Sequence, residues 1–110
     1  MRICRVTVEP VRVTTASAEL RVVVECDGPA AGAELRGRLV GPRCQGVSTV
    51  EVAYPLRQEG PAFRVVIPEP NMWSAAAPFR YDGRVEVWVG NERVDDHTFA
   101  VELRPAANSG

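Results

Sequence analysis

Apolar side chains along this chain recur at every second position rather than every third or fourth. In "ELRVVVEC", Leu20, Val22, Val24 and Cys26 alternate with Arg21, Val23 and Glu25; in "AELRGRLVG", Ala33, Leu35, Gly37 and Leu39 alternate with Glu34, Arg36 and Arg38. A period of two belongs to a strand with one buried face. Between these two runs, "DGPAAG" supplies the Gly, Pro and Asp that turns use for preset or positive φ. The pattern returns in "VSTVEVAYPL" (Val50, Val52, Tyr54, Leu56), in "FRVVIP" (Phe63, Val65, Ile67), in "RYDGRVEVWVG" and in "HTFAVELR". An early run, "VTVEPVRVT", is broken by Pro10, which cannot donate to a ladder and marks an edge or a change of sheet. No 11-residue window carries a helical stripe.

The count comes to about seven strands with turn signals at intervals of about 8–12 residues, which predicts an all-β, two-sheet antiparallel sandwich. A small barrel is the competing architecture. The sandwich is preferred because the strands keep one apolar and one charged face, as two packed sheets require. The expected organisation is a leading strand or linker at residues 1–10, the sandwich at 11–104 and a loose polar tail at 105–110. In such a sandwich Cys4 shares parity with Val6 and Val8, and Cys26 with Leu20, Val22 and Val24. Both sulfurs are then expected on the core face, where a bridge is geometrically conceivable. The inter-sheet disulfide of antibody domains is excluded, because the penultimate strand holds no Cys.

Composition narrows the partners. With 110 residues the chain is one domain, and 45% hydrophobic with 25% charged residues is a globular balance. The 13 basic residues are all arginine, set against 14 acidic ones for a net charge of −1, and they never run together. A phosphate-tracking surface is therefore not indicated, and nucleic acid is not an expected partner. "MRICRVTVEP" has no apolar run of signal-peptide length and no later segment is long enough to cross a membrane, so a soluble cytoplasmic chain is expected. The 3 Cys form no CxxC pair and with the 1 His lack zinc spacing, so no metal or cofactor is expected. An odd number of thiols fits a reducing compartment.

The stretch "NMWSAAAPFRYDGRVEVWVG" is unusually aromatic for a loop and the strand after it. A sandwich has open ends, and a chain crossing between sheets must close one of them with bulk. Trp73 and Phe79 provide that bulk as an end plug, the small residues Ser74 to Ala77 let the chain turn, and Tyr81 is placed to return its hydroxyl to a backbone group. Trp88 differs, because it shares the charged face of its strand with Arg84 and Glu86. Those three residues form the candidate contact surface, since Trp and Arg are enriched where proteins meet. His97 has core-face parity and is read as a structural residue at the rim. Asp95 and Asp96 are adjacent in a strand and point to opposite faces, which does not suit a shared cation.

"PNMWSAAAPFRYDGRVEVWVGNERVDDHTFAVELR" resembles the last two strands of the immunoglobulin-like sandwich domain of glycoside hydrolase family 2, the family of β-galactosidases, β-glucuronidases and β-mannosidases. Members carry "P-x-LWSPE-x-PYLYTL" at this place, then an alternating strand, a turn and a strand with an acidic pair before "TRFGFR". Met72, Trp73 and Ser74 match "LWS", Pro78 and Tyr81 match its second half, and Asp95-Asp96 falls at the acidic pair. In strand number and spacing the resemblance runs from about Val11 to Arg104. The family's "FGFR" becomes Val101 to Arg104 here, with Glu102 in place of the Gly. The family's two catalytic glutamates belong to a barrel outside this chain, so the resemblance carries over no catalytic residue.

Glycoside hydrolysis needs two carboxyl groups held about 5–10 Å apart, one with a raised pKa. The acidic residues here fall on outward faces or turns beside arginines, which opposes that. The expected function is a non-catalytic accessory or scaffold domain that contacts a neighbouring domain, a protein subunit or a second copy of itself. The alternative is a free-standing carbohydrate-binding or adhesion module that uses Trp88. A small enzyme is disfavoured because no catalytic constellation is present.

Overall fold

A computed structural model describes residues 1–28, 31–59 and 62–104. The alternating runs become β1 (Arg2–Val13), β2 (Ser17–Asp27), β3 (Ala33–Arg43), β4 (Val52–Pro55), β5 (Arg57–Glu59), β6 (Ala62–Pro68), β7 (Arg80–Val89) and β8 (Glu92–Val101). They form two four-stranded antiparallel sheets, β1-β2-β6-β5 and β4-β3-β7-β8, packed as an immunoglobulin-like sandwich. Residues 1–10 lie in the same continuous strand as Val11 to Val13. The tail at 105–110 lies outside the described residues.

Alternation fixes which side chains fill the space between the sheets. From one sheet come Ala18, Leu20, Val22 and Val24 of β2 with Phe63, Val65 and Ile67 of β6; from the other come Leu39 of β3 with Tyr81, Val85 and Val87 of β7. Each large apolar side chain so buried contributes about 1.5–3 kcal/mol relative to exposure. Among the described residues no charged or polar residue is buried, so charge is confined to the outer faces and rims. Gly83 belongs to this inner layer for lack of space. A Cβ there would run into the ring of Phe99 on the neighbouring strand.

Strict parity fails at several places. A register shift between Ile3 and Arg5 turns Ile3 inward and leaves Cys4 exposed, so Cys4 does not share the core face with Val6 and Val8. One extra residue in a strand inverts the facing of what precedes it. Cys4, Cys26 and Cys44 are all free, and the Cys4–Cys26 bridge is not made. "VSTVEVAYPL" is likewise not one strand: Val50 is 86% exposed and Val52 46% exposed. The chain leaves one sheet after Pro55 and joins the other at Arg57, with the Leu56 N–H donating to the Gly37 carbonyl at 3.0 Å. That change of sheet produces the eighth strand. His97 is exposed rather than set at the core rim. β1 is an edge strand with a second register shift between Pro10 and Arg12, as the Pro suggested.

Candidate functional site

β7 carries aromatic residues near both ends, and their surroundings differ. Near its start, Tyr81 is 1% exposed, and its hydroxyl accepts the backbone N–H of Asn71 at 3.0 Å. Burial, foremost, pushes the Tyr81 phenol above its ordinary pKa, against the hydrogen bond from Asn71. Tyr54 meets the Tyr81 ring edge-on, with centroids 6.3 Å apart. The preceding loop is tied down by its own backbone: Trp73 N–H donates to Leu103 O at 2.7 Å, Ser74 N–H to Ala77 O at 3.1 Å, and Phe79 N–H to Ala77 O at 2.8 Å. Ala77 N–H donates to the Ser74 hydroxyl at 3.0 Å. Trp73 and Phe79 are half-buried, and the Arg104 guanidinium lies 4.0 Å from the centre of the Trp73 ring.

Near the other end, about 23 Å further along an extended strand, Trp88 projects from the outer face, which it shares with Arg84 and Glu86. Trp88 is half-buried, and Arg36 of β3 lies over its ring at 4.6 Å. The Trp88 indole N–H donates to Glu86 Oε1 at 3.3 Å. The other Glu86 oxygen accepts Arg93 Nη1 at 3.0 Å and has Arg84 Nε at 3.5 Å. The Arg93 hydrogen bond, helped by Trp88 and by the charges of Arg84 and Arg93, holds the Glu86 carboxyl below the usual carboxylate range against some burial. Glu86 stays ionised and serves as a hub. Arg84 also pairs with Asp96 across to β8, whereas Asp95 turns the other way and accepts the backbone N–H of Ile3 at 2.7 Å.

Parity had placed Trp88, Arg84 and Glu86 on one face, and the structure brings them into one network. The sequence reading did not name Arg36, Arg93 and Asp96 as members of the surface. Arg36 shows polar-face parity on β3, but Arg93 and Asp96 have opposite parity and share the outer face only through the register shift opposite Val87 and Trp88. The same outer face continues as ion pairs: Arg36 with Glu34 at 3.2 Å, Arg43 with Glu51 and Asp82 at 2.7 Å each, and Arg80 with Asp82 at 3.2 Å. Exposed pairs of this kind are worth about 0–1 kcal/mol each. They order the surface more than they stabilise it. Among the described residues, no group of three or more His, Cys, Asp or Glu side chains is arranged to hold a metal ion, and no helix is long and apolar enough to cross a membrane.

No family model and no curated protein matches the chain. Solved structures do match by shape. A β-glycosidase from Bacteroides vulgatus superposes with a TM-score of 0.68 at 14% identity, covering 94% of this chain and 13% of that one. The Lactobacillus rhamnosus β-glucuronidase gives 0.64 at 13% identity, with 94% and 16% covered. A β-glucuronidase from glycoside hydrolase family 2 gives 0.59 at 17% identity, with 94% and 12% covered. The chain thus spans less than a fifth of each of these enzymes. Its fold is that of a β-sandwich segment carried within these longer glycosidases.

Proposed function

We propose that this chain is a non-catalytic accessory sandwich that works by contact with a neighbouring domain or protein, through the outer face of β4-β3-β7-β8 around Trp88, Arg84 and Glu86. The observation that carries this reading is the match in shape of nearly the whole chain to a small segment of much longer glycosidases, 12–16% of the three compared. A segment of that size inside a long chain meets other parts of it. The outer face suits the role, because a half-buried Trp held among arginines and a carboxylate is the composition of an interface hot spot.

The carbohydrate-binding reading has less support from the geometry. A sugar stacks on an open ring face, and one face of Trp88 is covered by the Arg36 guanidinium. Sedimentation equilibrium of the purified domain, alone and with a candidate neighbouring protein, tests the proposal. Trp88→Ala is expected to weaken the contact by about 2 kcal/mol, a hot-spot loss. A saturable glycan-induced change in tryptophan fluorescence, lost in Trp88→Ala, would overturn the docking reading in favour of sugar binding.

A further inference from the structure

On the outer face of β4-β3-β7-β8, the guanidiniums of Arg36, Arg43, Arg80, Arg84 and Arg93 each have a carboxylate within ion-pair distance. Arg38 is the exception. It is exposed in the centre of the sheet, and among the described residues no carboxylate reaches it. Its register partner on β7 is another cation, Arg84. Like charges set directly opposite each other repel and are a cost to the sheet. Arg84 also keeps its Nε buried without a hydrogen bond, although Glu86 Oε2 stands 3.5 Å away. One row across the sheet therefore sets two guanidiniums opposite each other, and of the two only Arg84 has carboxylates beside it, so the uncompensated charge is that of Arg38.

The row also stands between two hollows, both lined by Arg38 and Arg84. The larger, about 520 Å3, runs on to Arg43, Thr98 and the apolar Val40 and Ala100. The smaller, about 280 Å3, runs on to Arg36, Glu86 and Arg93. Both are open to solvent, whereas a free small ligand is usually held in a cleft that buries most of its surface. A side chain presented by another protein surface needs no such enclosure, since the surface that carries it closes the site. Guanidinium forks match carboxylates in two-point geometry, and the apolar floor suits the short stem of an acidic side chain.

We infer that the Arg38–Arg84 row receives an aspartate or glutamate side chain of the partner surface. This rests on the reading of the domain as a docking module and specifies the chemistry of what docks. The incoming carboxylate neutralises Arg38, relieves its repulsion from Arg84 and can accept from Thr98.

The test is a titration of the isotope-labelled domain with a capped Gly-Glu-Glu-Gly peptide, followed at arginine Nε–H and backbone amide resonances. Saturable shifts are expected at Arg38, Arg84 and Thr98. They should fade in about 0.5 M salt, where screening acts over a few ångströms. Arg38→Gln should weaken binding about fivefold, in the range of a partly exposed ion pair, while Arg57→Gln on the other sheet leaves it unchanged. Retained amide dispersion in both variants shows that they fold. Equal shifts at all exposed arginines, or the same shifts with Gly-Gln-Gln-Gly, would overturn the inference. So would sodium glucuronate shifting these resonances at lower concentration than the peptide. If a protein partner binds and Trp88→Ala weakens it but Arg38→Gln does not, the acidic-side-chain inference falls and the docking reading stands. If the peptide binds as expected and Trp88→Ala leaves partner affinity intact, the site stands and the Trp88-centred reading falls.

Discussion

Asp95 in β8 accepts the backbone N–H of Ile3 in β1 at 2.7 Å, so a carboxylate of one sheet holds the edge strand of the other at its bulge. An edge strand has N–H groups that face away from its only ladder partner and need another acceptor. Here the acceptor is charged. The Ile3 N–H, first, and the Asp96 N–H hold the Asp95 carboxyl below its ordinary value of 3.8, with the charges of Arg2 and His97 adding to the effect.

A lowered folded-state pKa means stabilisation that is present above the unfolded-state value and is lost as pH falls through the folded one. Asp95→Ala should therefore lower the urea midpoint near neutral pH, and the gap from wild type should close in acid, below the ordinary aspartate range. Paired urea melts at about pH 7 and about pH 2 check this. A gap of equal size at both would mean that the clamp does not depend on charge.

Gly83 and Phe99 face each other across β7 and β8 in the inner layer. The Phe99 ring occupies the space that a Cβ at Gly83 would need. Gly83→Ala should cost about 1–3 kcal/mol, as overpacking does. In a Phe99→Leu background the added cost should be smaller, and the difference is the coupling that a double-mutant cycle reports. Additive losses would place the strain elsewhere.

The sandwich and its core were legible because β2, β6 and β7 keep uninterrupted parity: Leu20, Phe63 and Tyr81 with their alternate neighbours are all buried. Cys4 and Val50 were not legible for a common reason. A bulge or a change of sheet inverts or ends the alternation without a sequence mark as strong as Pro10, so local period cannot locate it. The contact surface was half legible. Trp88 stands out as an aromatic on a polar face, but Arg36 over its ring and Arg38 opposite Arg84 depend on register between strands separated by some fifty residues in the chain.

The aromatic loop offers an ordering of losses. Tyr81→Phe keeps the ring but removes the oxygen that accepts the Asn71 N–H, and should cost about 1 kcal/mol or somewhat more. Tyr81→Ala empties a fully buried site and should cost about 3–5 kcal/mol. Trp73→Ala should fall between them, at about 1–3 kcal/mol, because its ring is half-buried and its backbone bond to Leu103 survives. Denaturant midpoints of the three variants give the order directly. A loss at Trp73 equal to that of Tyr81→Ala would show that the loop closes the sandwich end more tightly than its exposure implies.

The three thiols should separate by rate. Cys4 is exposed at the β1 bulge and should alkylate fastest, while Cys44 is half-buried beside the turn that brings it opposite Val47. Cys26 should be slowest. Burial, first, and the neighbouring Cys4 raise its pKa, so at any pH below that value a smaller fraction is thiolate, the reactive form. The contrast between Cys26 and Cys4 should narrow as pH rises towards the raised value, because the thiolate deficit disappears while the steric one remains. Timed iodoacetamide labelling of the native protein, read by peptide mass spectrometry at several pH values, follows each site separately. Cys26 reacting as fast as Cys4 near neutral pH would contradict its partial burial at the end of β2, and with it the register that sets Cys26 opposite Ile3.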